Sequence, residues 1–82
     1  MPTILRLQGL RVVIYTNDHW PPHVHVVGTG REAKFALGTA GQRPSIVSNE
    51  GLSRRGLTLA LIEIDRNREL LLDRWREIRG DA

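Results

Sequence analysis

The sequence predicts a small α+β domain, with an antiparallel sheet of three or four strands followed by two helices packed on one face. Three observations predict it. Before residue 50, short runs alternate apolar and polar residues and are separated by Gly and Pro. After residue 50, apolar residues recur at helical spacing. The chain has 82 residues and no Cys, so one tight core without disulfides is expected, with 1–49 as the β-rich half and 52–79 as the helical half.

Thr3-Ile4-Leu5-Arg6-Leu7 and Leu10-Arg11-Val12-Val13-Ile14-Tyr15 flank Gln8-Gly9, a two-residue hairpin turn. This register sets Leu7 against Leu10, Arg6 against Arg11, Leu5 against Val12 and Ile4 against Val13. Leu5, Leu7, Leu10, Val12 and Ile14 then form the core face, because side chains alternate along a strand. Residues 16–22 include Pro21-Pro22, which lack backbone donors and make a stiff loop. His23-Val24-His25-Val26-Val27 follows as a strand. A turn at Thr29-Gly30 pairs Val24 with Phe35, Val26 with Ala33 and His25 with Lys34, burying one face.

A weak edge strand is expected at Ser45-Ile46-Val47, then a turn at Asn49-Glu50-Gly51. Ser53 reads as an N-cap, with Leu57, Ala60, Leu61 and Ile64 on one stripe. Leu71, Trp75 and Ile78 form a second stripe. One helix over 53–79 would be roughly 40 Å long, while strands of five residues span about 17 Å. Two helices are therefore expected, with Asn67 at the break and capping the second.

Twelve basic residues against nine acidic ones give a net charge of +3. The excess lies wholly in residues 1–49, where Arg6, Arg11, Arg31, Lys34 and Arg43 face only Asp18 and Glu32. The helical half is neutral, its acids and arginines interleaved as on a solvated helix face. No apolar run has membrane-span length and no signal-peptide pattern is present, so a cytoplasmic protein without membrane association is expected.

All three histidines fall in Asp18-His19-Trp20-Pro21-Pro22-His23-Val24-His25-Val26. His23 and His25 lie two apart on a strand and share a face. Several chemistries fit. His23 and His25, with Asp18 and His19, are candidates for acid/base catalysis, since imidazole titrates near neutrality. His19, His23 and His25 alternatively supply three ligands for a divalent transition metal such as zinc or nickel. Histidines beside arginines can also bind anions, or serve only the sheet or a subunit interface. Lys34 opposite His25 tilts the balance from cation to phosphate, so the leading expectation has no cofactor. Arg6, Arg11, Lys34, Tyr15 and Trp20 are the expected anion- or RNA-binding residues, with Trp20 able to stack on a base. Arg6 opposite Arg11 costs stability unless screened, which suits a face that meets anions.

Gly28-Thr29-Gly30-Arg31-Glu32-Ala33 imitates a dinucleotide fingerprint. The helix that fingerprint needs is missing, because Ala33, Phe35 and Leu37 alternate as in a strand.

Met1-Pro2-Thr3, Val13-Ile14-Tyr15, the run from Asp18 to Val26, Ala33-Lys34-Phe35, and Asn67-Arg68-Glu69-Leu70-Leu71 with Trp75 together resemble a small bacterial family catalogued as domain of unknown function 4160. The match runs nearly end to end, and Asp-His-X-Pro-Pro-His-X-His-Val is its specific part. The stretch from Gly38 to Pro44 is longer and less apolar than the resemblance leads one to expect. The resemblance supplies no mechanism. It implies a frequent genomic neighbour of another small family, in an arrangement suggestive of toxin–antitoxin pairs.

The expected function is thus a phosphate- or RNA-directed component of such a pair, with RNA and a small partner protein as partners. Metal-independent ribonuclease-like chemistry is one form it could take. The alternatives are a metal-binding module and a purely protein-binding subunit that pairs through its sheet edge, with homo-oligomerisation also possible.

Overall fold

The computed structural model describes residues 3–15, 19–39 and 41–79. Five strands, β1 (Thr3–Leu7), β2 (Leu10–Val13), β3 (His23–Gly28), β4 (Arg31–Ala36) and β5 (Ser45–Glu50), precede two helices, α1 (Arg54–Arg66) and α2 (Arg68–Arg79). The strands form one antiparallel meander in chain order. The architecture is α+β, with five strands rather than three or four.

Both hairpin registers follow from alternation. Leu7 faces Leu10, Arg6 faces Arg11 and Leu5 faces Val12. Val24 faces Phe35, His25 faces Lys34 and Val26 faces Ala33. The second turn residues, Gly9 and Gly30, take φ of 70° and 68°, which only glycine adopts cheaply. One pairing differs from expectation. Thr3, not Ile4, faces Val13, because the register shifts between Thr3 and Leu5. The shift lets Ile4 pack against the core.

The weak edge strand expected at Ser45-Ile46-Val47 is β5, and it is longer than expected. It runs through Asn49 and Glu50, where a turn was expected, and its register shifts beside β4 between Lys34 and Phe35. All six of its residues are exposed, Ile46 and Val47 included. Its weak apolar pattern reflects that exposure, since an edge strand outside the helix layer buries neither face. The turn comes instead at Gly51, where Asn49 closes a side-chain loop. Leu52 N–H donates to Asn49 Oδ1 and Asn49 Nδ2 donates to Leu52 O, both at 3.0 Å.

Ser53 caps α1, its Oγ accepting from Gly56 N–H at 3.0 Å. The helices separate at Asn67. Its carbonyl accepts from Leu71 N–H and so opens α2, but its side chain turns back and donates to Glu63 O at 2.8 Å. The side chain expected to cap α2 thus caps the end of α1 instead. Ala60, Ile64, Leu71, Leu72 and Trp75 meet Val12, Ile14, Val24, Val26, Phe35 and Leu37 in one buried cluster. Leu57 and Leu61 lie at its margin, half buried.

Two contacts fix the end of the sheet that carries the histidines. Leu37 N–H donates to Pro22 O at 3.0 Å, tying the proline loop to the end of β4. Arg68 donates through Nε to Leu37 O and through Nη2 to Gly38 O, both at 2.8 Å. At Gly38 φ is +79°, and a Cβ would lie 2.5 Å from Gln42 O. Only glycine allows this tight return. The unexpected length of the 38–44 segment thus serves a turn pinned by the start of α2.

Candidate functional site

The sheet face away from the helices carries three rows of residues, set by the cross-strand registers. Arg6, Arg11, Val27, Glu32 and Glu50 align at the hairpin end. Val13, His25, Lys34 and Ser48 form the middle row. His23, Ala36 and Ser45 form the third. Arg6, Arg11, His23, His25 and Lys34 therefore share a face, as alternation predicted.

That face is not open throughout. Val13 is fully buried, His23 is 6% exposed and the His25 side chain 12%. An aromatic and polar layer occupies the middle row. The Tyr15 ring centroid lies 4.3 Å from that of His25, and the two histidine rings are 5.3 Å apart. His25 Nδ1 donates to Glu32 Oε2 at 3.0 Å, while Tyr15 Oη donates to Glu32 Oε1 at a long 3.5 Å. Glu32, diagonal to His25, takes the contact expected of Lys34. A carboxylate at this place offsets the local positive charge. Tyr15 lies over His25, and His25 sits in a structural cluster.

His23 is differently placed. Its Nδ1 donates to Pro21 O at 2.8 Å, because a carbonyl can only accept. Whenever either ring is neutral, the hydrogen is then on Nδ1 and the lone pair on Nε2. His23 lines a cavity of about 490 Å³ together with His19, Trp20, Pro21, Lys34 and Val47. His25 does not line it. The histidines that share a cavity are thus His19 and His23, with Lys34 beside them, rather than His23 and His25. Among the described residues no three His, Asp or Glu side chains gather as a group that could hold a metal ion. Asp18 lies outside the described residues.

Arg6 and Arg11 belong elsewhere. They line a cavity of about 360 Å³ at the hairpin end with Gly9, Gly28 and Thr29. Arg6 also lines a second cavity, of about 770 Å³, with Arg31, Ser53, Arg55 and Glu63. Arg6 thus joins two cavities into one basic end. Among the described residues, the ion pairs use Glu32, Glu63, Glu69, Asp73 and Glu77, and none reaches Arg6, Arg11, Arg31 or Arg55. The first turn of α1 holds no acid, although a helix N-terminus favours negative charge. Glu63, the carboxylate on the cavity wall, binds Arg66 at 3.1 Å.

Arg31 and Arg55 were not legible as partners of Arg6. They meet only because the 49–53 turn returns α1 to the hairpin end. Glu32 was legible, being two residues from Lys34 and hence on the histidine face.

No curated protein and no solved structure matches the chain. The family model described as Domain of unknown function (DUF4160) matches residues 9–76, a span that includes the histidine cavity, Arg11, Arg31 and Arg55, and the chain belongs to that family.

Proposed function

We propose that this protein is a phosphate-binding, RNA-directed component of a toxin–antitoxin-type pair, and that its basic end holds the RNA backbone. The observation that carries this reading is the cluster of Arg6, Arg31 and Arg55 around one cavity at the N-terminus of α1, without a carboxylate partner among the described residues. Like charges so arranged repel each other and oppose the helix dipole. An anion removes both costs. Arg11 extends the basic end through the adjoining cavity. In this reading Lys34 holds a second phosphate, and His23 with His19 are the groups available to move protons there. His25 positions the sheet face through Glu32. A partner protein, as the resemblance implies, has the exposed β5 edge to pair with.

The test is a salt titration of single-stranded RNA binding by fluorescence anisotropy. Log affinity should fall linearly with log salt, with a slope of about −0.7 per phosphate neutralised. Arg6→Ala with Arg31→Ala should flatten that slope by about one phosphate or more. No RNA binding at low salt, or identical slopes, would overturn the proposal.

A further inference from the structure

The histidine cavity brings together parts that the basic end lacks. Trp20 stands on its rim and is 63% exposed, the most exposed of the large apolar side chains among the described residues. It is braced, since its ring meets that of buried Trp75 at 5.6 Å and 72°. Pro21-Pro22 stiffen the backbone on which it stands, and the bond from Leu37 N–H to Pro22 O ties that backbone to β4. A tryptophan serving only as a lid would bury its large apolar area. This one leaves most of its area to solvent.

Around it the cavity offers Lys34, His19 and His23 as polar groups, with Pro21, Ala36 and Val47 as apolar wall. Lys34 has no carboxylate partner among the described residues. Glu32, two residues from Lys34 on that face, is engaged by His25 and Tyr15. A fixed aromatic surface beside a cation and imidazoles suits a ligand that is planar at one end and anionic at the other. The volume of about 490 Å³ lies in the range of small-molecule sites.

We infer that this cavity takes one unpaired nucleotide, its base stacked on Trp20 and its phosphate on Lys34. The inference rests on the RNA-directed reading, which supplies the strand from which the nucleotide comes. It divides the labour between two places. The basic end holds backbone without regard to base, whereas the cavity receives a base and its phosphate together. Stacking on an aromatic ring accepts every base, so the site is expected to have modest base preference.

The experiment titrates the intact protein with adenosine 5′-monophosphate and follows tryptophan fluorescence and amide shifts by NMR. Saturable binding with quenching of Trp20 is expected. Ribose 5-phosphate and adenosine, each carrying half the ligand, should bind at least ten-fold more weakly. Lys34→Met should weaken the nucleotide about ten-fold. Trp20→Ala should weaken it by a similar factor. Because Trp20 touches Trp75, Trp20→Phe supplies the control that keeps an aromatic ring, and it should retain affinity within a few-fold. Arg6→Ala with Arg31→Ala should leave nucleotide binding unchanged while flattening the salt dependence for RNA. The inference fails if the nucleotide does not bind while RNA still does. It also fails if Lys34→Met and Trp20→Ala bind like wild type, or if the arginine variant loses the nucleotide. Nucleotide binding without RNA binding would instead overturn the function proposed above and leave this site standing.

Discussion

Replacing Arg68 with Met is the perturbation whose cost can be worked most directly from the structure. Met keeps much of the apolar stem and removes the guanidinium. Two bonds are lost, Nε to Leu37 O and Nη2 to Gly38 O, both at 2.8 Å. A hydrogen bond from a charged donor contributes about 1.5–3 kcal/mol, and a buried acceptor left unpaired costs further. The Arg68 side chain is 22% exposed, so water can reach part of the vacated space. Two bonds at the lower end of the range, discounted further for that access of water, give about 2–3 kcal/mol in all. The contact with Glu69 at 3.8 Å adds nothing appreciable, because Glu69 is 88% exposed. With a urea m-value of about 1 kcal/mol/M for a small domain, the unfolding midpoint should fall by about 2–3 M. Arg68→Lys should recover at most half of the loss, since an ammonium cannot reproduce the planar fork. The loop that Arg68 holds is also tied to Pro22, so amide shifts of residues 19–23 should move in Arg68→Met. A midpoint within about 0.3 M of wild type would refute the claim that this clamp holds the 37–38 backbone.

Other outcomes follow from the same packing. Leu71→Ala, at a fully buried position, should cost about 2–5 kcal/mol in urea unfolding, while neighbouring Leu70→Ala, 41% exposed, should cost less than 1 kcal/mol. Gly38→Ala should lower the thermal midpoint by several degrees, because its Cβ would lie 2.5 Å from Gln42 O at φ +79°. Ser53→Ala should cost about 1 kcal/mol, with Ser53→Asn close to neutral, as measured by chemical denaturation. Glu32→Ala removes the acceptor of His25 Nδ1 at 3.0 Å, and should shift the His25 ring signals in NMR while leaving RNA salt slopes unchanged.

Local rules determined much of this protein. Period-two alternation with glycine at each turn specifies both hairpins, because a slip of one residue would turn every apolar side chain to water. The Arg6–Arg11 and His25–Lys34 registers, the Ser53 cap and the break at Asn67 were legible for that reason. The β5 strand was only half legible, since an edge strand exposed on both faces has no apolar period to read. The partners of the functional side chains were decided by the tertiary structure. Sequence placed the three histidines together, but burial and the Glu32 bond separate His25 from the cavity that His19 and His23 share. Arg31 and Arg55 are twenty-four positions apart and meet beside Arg6 only after α1 returns to the hairpin end. Arg68 looked like a break in an apolar stripe, yet it clamps carbonyls about thirty residues away. Alternation fixes which side of a strand a residue occupies. It carries no information about which distant backbone or side chain arrives on that side, because that depends on how the helices close over the sheet.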